Sequence, residues 1–197
     1  MDRGCQVGAS AGLHYKSVLL LLTASLVSLT AYRGVAAFAS LYVVEGKGQT
    51  LEEAAAYYAF FQVAGVIGGP IGGWFSDRIG EPNMIVAFVL IESSPIFFLP
   101  FLGHITLALD LAIVGFGSFA VLAVQDAYLS KVAPKAAFGA SYGLLLTLSF
   151  LPAAYIPPAV GILIDRNGFE ASFAIAASAT LASIPIILMA KKAAINK

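Results

Sequence analysis

Six apolar runs alternate with short polar breaks along the chain, at residues 17–44, 54–75, 84–102, 105–129, 138–164 and 171–190. Each is about 19 residues or longer, enough at 1.5 Å per residue to cross a hydrocarbon core of roughly 30 Å. The breaks carry helix punctuation. Thr50 followed by Glu53 is a capping box and predicts a helix start after the polar stretch Glu45–Glu53. Asp77–Asn83 reads as a tight turn, Gly103–Thr106 is barely a loop, and Lys131–Ala137 is a short basic loop. In the second run Tyr58, Gln62, Gly65, Gly69 and Gly72 recur at helical spacing; the small-residue pairs Gly65/Gly69 and Gly69/Gly73 predict close approach of another helix. Residues 17–44 exceed a signal-peptide core of about 7–15 residues and read as a span. The expected fold is all-α and membrane-integral, one six-helix domain over residues 1–197.

One stretch has an echo. Pro70-Ile71-Gly72-Gly73-Trp74-Phe75-Ser76-Asp77-Arg78-Ile79-Gly80 aligns without gaps on Pro158-Ala159-Val160-Gly161-Ile162-Leu163-Ile164-Asp165-Arg166-Asn167-Gly168, with identities at Pro, Gly, Asp, Arg and Gly. Three spans separate the copies, so they fall on opposite faces. Two inverted three-helix repeats are therefore expected.

Composition fixes the solvent. Of 197 residues 59% are hydrophobic and 11% charged, with mean hydropathy +0.89; soluble domains carry about 25% charged residues. The net charge of zero leaves no basic footprint for nucleic acid. The lone Cys5 and the separated His14 and His104 form neither a disulfide nor a metal set, and no cofactor motif is present. No nucleophile–base pair or nucleotide loop stands in the spans, so the chain does not read as an enzyme. Lys and Arg are asymmetric: Arg3, Lys16, Arg78, Lys131, Lys135, Lys191, Lys192 and Lys197 fall on the side of the termini, against Lys47 and Arg166 on the other. Both termini are thus expected in the cytoplasm of a multi-pass plasma-membrane protein.

Charges inside the spans cost about 2.5–3.5 kcal/mol each on insertion scales and call for a reason. Arg33 and Glu92 are near mid-span; Thr23, Thr30, Ala37 and Ser40 share the Arg33 face. Asp110 is nearer the outer end of its span, with Gly117, Ser118 and Gln125 on its face, while Asp126 points elsewhere. Arg33, Glu92, Gln62 and Asp110 are the candidate substrate and ion path. An arginine suits an anionic group or a carboxylate partner, and a buried glutamate suits proton exchange. A cycle is expected in which Glu92 pairs with Arg33 until a proton or substrate separates them. The competing structural reading is a locked ion pair, and for Asp110 an interfacial site.

Gly73-Trp74-Phe75-Ser76-Asp77-Arg78-Ile79-Gly80 resembles the loop signature of the major facilitator superfamily. Lys131-Val132-Ala133-Pro134 leading to Gly139-Ala140-Ser141-Tyr142-Gly143, and Gly161 to Phe173, resemble further loops of a carboxy-terminal six-helix half, and Ala37 to Gly80 is most similar to efflux members, including the fosmidomycin-resistance-like group. The resemblance implies half of a secondary active transporter, proton-coupled, moving a small-molecule substrate by alternating access within membrane lipid, beside a second six-helix half supplied as a homodimer or a separate chain. It implies a gate motif of Gly73, Asp77, Arg78 and Gly80, with Asp77 near the amino end of span 5 and Arg78 paired with Asp126. The alternative is a truncated or non-transporting membrane subunit associating with another six-helix half. Glu81-Pro82 stand where the signature has basic residues.

Overall fold

The Thr50–Glu53 box forms as expected: Glu53 N–H donates to Thr50 Oγ1 at 3.2 Å and Thr50 N–H donates to Glu53 Oε2 at 2.9 Å. It starts the helix α2 at Leu51, which runs to Ile79. The computed structural model describes residues 3–133 and 138–195. Pro134, Lys135 and Lys197, and the side chains of Arg3, His14, Tyr15, Lys16 and Thr30, lie outside the described residues. Around α2 stand α1 (Arg3–Leu41, extended by a π-turn Tyr42–Gly46), α3 (Glu81–Phe98, then a 3-10 turn Leu99–Phe101), α4 (His104–Val132), α5 (Phe138–Leu181) and α6 (Ser183–Ile195). Five helical stretches, Val18–Gly46, Leu51–Ile79, Glu81–Phe101, His104–Val132 and Ala154–Ala193, are long and apolar enough to cross a membrane.

The last of these holds two legs. Gly168, within α5, has φ +80° and ψ 171°, which breaks the helix at that one residue. Two apolar core layers show the chain reversing there. One joins Leu21, Ile85, Leu129, Leu145 and Ile187; the other joins Val35, Phe61, Leu99, Leu107 and Phe173. The chain passes from one layer to the other six times: along α1, α2, α3, α4, the arm of α5 before Gly168, and the arm after it continued by α6. Both turns of the echo are narrower than the sequence suggests. Helix persists through Ile79 and resumes at Glu81, so Gly80 alone, at φ +98°, makes the first turn. Such backbone favours glycine, whose missing Cβ avoids the clash that other residues meet. Gly80 and Gly168, aligned in the echo, are thus the same device at opposite ends of the bundle.

Packing repeats the inversion. α2 lies along α4, and the first arm of α5 along α1; α3 packs on α4, and α6 on α1. Exchanging the first three legs for the last three maps one set onto the other. Apolar surroundings give helices no hydrophobic drive to associate, so close backbone approach matters. A Cβ at Gly68 would strike the Phe116 carbonyl oxygen, and one at Gly115 the Phe61 carbonyl oxygen. One at Gly72 would lie 2.9 Å from the Ala120 Cβ. This corrects the predicted stripe: Gly65, Gly68 and Gly72 face α4, while Gly69 and Gly73 face open space. The α1–α5 contact is looser: a Cβ at Gly34 would lie 3.1 Å from the Val160 side chain, and one at Gly161 3.3 Å from the Phe38 ring. Most hydroxyls satisfy their own helices: those of Ser25, Ser93, Ser118 and Thr180 donate to the carbonyl four residues earlier.

Candidate functional site

Glu92 is placed by a glycine. A Cβ at Gly117 would lie 2.9 Å from Glu92 N and 3.0 Å from Glu92 Cα, so α3 rests directly on α4 at this level. The carboxyl is 1% exposed, and its Oε1 has no hydrogen-bond partner. Ser118, beside Gly117 on α4, donates its hydroxyl to the Val114 carbonyl at 2.8 Å.

Arg33 lies at similar depth on α1 and faces a different neighbour. Its Cζ is 5.2 Å from the Tyr32 ring centroid and 5.5 Å from that of Phe150 on α5, and its Nε has no hydrogen-bond partner. Arg33 and Glu92 form no ion pair among the described residues. The expected pairing fails because Gly117 draws Glu92 against α4, whereas Arg33 turns toward α5. Tyr32, the residue before Arg33, is buried. Its ring stacks on Phe61 at 6.1 Å, Phe61 stacks on Tyr58 at 5.7 Å, and Phe119 meets Tyr32 edge-on at 6.0 Å. Gln62, half-buried on α2, has an unpartnered Oε1. Asp110 is buried within the protein, at 8% exposure, with Oδ2 unpartnered. The mid-depth set is therefore Arg33, Glu92 and Gln62 with Tyr32, Tyr58 and Ser118 added, and Asp110 toward the Gly168 end. The sequence signal for Tyr58 was its i, i+4 relation to Gln62. For Ser118 it was only a place on the Asp110 face, and for Tyr32 there was none, because its role arises from contacts between helices.

At the Gly80 end the gate residues adopt a different arrangement from the one expected. Arg78 Cζ lies 3.5 Å from the Trp74 ring centroid, a cation–π contact on its own helix. It forms no ion pair with Asp126, which is half-buried on α4. The four-residue spacing from Trp74 to Arg78 puts the ring under the guanidinium, whereas Asp126 belongs to another helix. Asp77 is exposed, and the residues immediately before α5 lie outside the described ones. Two cross-ties that the sequence did not reveal hold this end: Glu81 pairs with Lys131, and Lys191 Nζ donates to Asn83 Oδ1 at 2.8 Å. At the other end Lys47 Nζ donates to the Pro100 carbonyl at 2.6 Å and Tyr42 Oη to the Leu99 carbonyl at 3.1 Å. A cavity of about 270 Å³ lined by Tyr42, Asn167, Phe169 and Glu170 opens there, apart from the mid-depth set.

A family model described as Major Facilitator Superfamily matches residues 21–194. An uncharacterized MFS-type transporter, YfnC, of Bacillus subtilis (strain 168) is 28% identical over 131 residues, covering 66% of this chain and 32% of that protein. A triacylglyceride transporter of Mycolicibacterium hassiacum is 30% identical over 148 residues, covering 66% of this chain and 27% of its own. Among solved structures, the POT family transporter PepTSo superposes with TM-score 0.80 at 13% identity, over 89% of this chain and 37% of that one. A peptide transporter POT in complex with sulfate gives TM-score 0.80 at 19% identity, over 90% and 38%. The chain spans about a third of the length of these relatives.

Proposed function

We propose that this chain, which belongs to the Major Facilitator Superfamily, is one six-helix half of a proton-coupled secondary transporter that moves a small solute by alternating access. It is a multi-pass membrane protein of a transporter family. The observation that carries the finer reading is the set of unpartnered polar atoms at mid-depth: Arg33 Nε, Gln62 Oε1 and Glu92 Oε1. Each is costly in an apolar interior, and a polar solute that takes up such groups offsets the cost. Arg33 offers planar donors to an anionic or carbonyl group, and buried Glu92 is the proton carrier.

One half encloses one wall only. α2 leaves Phe60, Val63, Ile67 and Trp74 exposed beside the open faces of Gly69 and Gly73, and α5 leaves Phe150, Leu151 and Tyr155 exposed. We assign these two faces to a second six-helix half, either another copy or a separate six-span unit. The basic asymmetry supports an orientation with the Gly80 end and both termini in the cytoplasm. Asp77 and Arg78 then belong to the inner gate.

The test needs no known substrate. In a background without Cys5, a cysteine at Gln62 is expected to react with an impermeant thiol reagent both in intact cells and in inside-out vesicles, each face excluding the other. A cysteine at Lys47 is expected to react only in intact cells, and one at Lys135 only in inside-out vesicles. A Gln62 position closed to both faces contradicts alternating access and favours a non-transporting subunit; reversed labelling of Lys47 and Lys135 contradicts the orientation.

A further inference from the structure

The cavity at the Gly168 end has a volume of about 270 Å³ and is lined by Tyr42, Gly46, Asn167, Gly168, Phe169 and Glu170. It lies where the π-turn after α1 meets the Gly168 break. Its wall is aromatic. The Tyr42 and Phe169 ring centroids are 5.3 Å apart, and the buried Phe173 ring lies 5.2 Å from Tyr42 and 6.1 Å from Phe169. Glycine leaves these rings uncovered: a Cβ at Gly46 would lie 2.6 Å from the Tyr42 ring and 3.5 Å from the Phe169 ring. The Tyr42 ring is also held in place, since its hydroxyl donates to the Leu99 carbonyl at 3.1 Å.

Glu170 carries the one charge among the lining residues. It is exposed and forms no ion pair among the described residues. Lys47 stands near the same wall, its Nζ 5.6 Å from the Tyr42 centroid, but that ammonium donates to the Pro100 carbonyl at 2.6 Å. A carboxylate without a cation therefore faces a cavity walled by rings. The carboxylate repels anions. A hard metal ion takes about six or more oxygen ligands, which rings do not supply. An organic ammonium ion suits both parts, because its charge is drawn to the carboxylate and its carbon groups pack against aromatic rings. Drug-sized ligands occupy pockets of roughly 300–1,000 Å³, so the ion is a small one.

We propose that this cavity is a binding site for a small organic ammonium ion, with its charge beside Glu170 and its carbon groups against Tyr42 and Phe169. A free solute and the ammonium headgroup of a lipid share this chemistry. The site is apart from Arg33, Gln62 and Glu92 and does not depend on the transporter reading.

Choline is the probe, titrated against the full chain in dodecylmaltoside micelles, which contain no ammonium, and followed by saturation-transfer NMR with empty micelles as the blank. Saturable binding is expected, with none by the neutral counterpart 3,3-dimethylbutan-1-ol. Glu170→Gln is expected to weaken choline binding by about fivefold, and Phe169→Leu by about threefold or more. Asp165→Asn, which removes an exposed carboxylate of the same turn outside the lining, is expected to match the wild type. Size exclusion confirms that each variant is folded. Absence of saturable choline binding overturns the proposal, as does equal binding of the neutral alcohol or an equal loss in Asp165→Asn. Nanodiscs of digalactosyldiacylglycerol, with and without phosphatidylethanolamine, then separate the sources. Competition by the added lipid in the wild type but not in Glu170→Gln assigns the site to a headgroup, and unchanged choline affinity assigns it to a free solute.

Discussion

Gly68→Leu and Gly115→Leu are each expected to abolish accumulation of folded protein. A Cβ alone at either position collides with a backbone carbonyl oxygen of the partner helix, and a carbonyl cannot rotate away as a side-chain tip can. Overpacking of this kind costs about 1–3 kcal/mol when neighbours can give, and here the α2–α4 axis itself must open. A total stability of about 5–15 kcal/mol leaves little reserve. Opening that pair also moves Phe61 and Phe119, and with them the ring stack that holds Tyr32. Gly69→Ala and Gly73→Ala are the controls: open space surrounds both, so folded yield is expected to be unchanged. Fluorescence-detected size exclusion of the four variants checks the contrast. Normal yield of Gly68→Leu would mean that α2 does not lie on α4 as described.

Glu92→Gln is expected to fold and to lose proton-driven accumulation while keeping solute exchange at equal concentrations. Glutamine fits the same space against Gly117 but takes up no proton. Coupling free energies between sites are about 1–3 kcal/mol, roughly 5–150-fold, so driven transport is expected to fall at least about tenfold. Arg33→Lys keeps the charge and loses the planar contact with Tyr32 and Phe150, so solute binding weakens and exchange falls together with accumulation. Collapse of an imposed pH gradient in proteoliposomes, screened over small solutes, separates the two patterns. If both variants transport normally, the mid-depth site is misassigned. A locked ion pair is not among the explanations left, since the two side chains turn to different neighbours.

What was legible in the sequence was local or periodic. The capping box at Thr50, the spans and the echoed Gly80 and Gly168 follow from spacing along one helix or from a repeat. What was not legible depends on which helix lies opposite. Positions 68 and 69 both fit a helical stripe with 65 and 72, and only the position of α4 decides between them. Arg33 and Glu92 share a depth, and depth alone invited their pairing; a glycine on a third helix prevents it. Glu81 read as a lost basic residue, but its partner Lys131 lies 50 positions away, beyond any local pattern.

The central claim is that this half transports only beside a second one. Native mass spectrometry of the protein released from proteoliposomes in which transport has been measured tests it most directly. The account expects this 20.5 kDa chain in a homodimer or with a separate six-span partner, and expects Gly69→Leu together with Gly73→Leu to shift it to an inactive, folded monomer. A monomer that transports at full rate would contradict it.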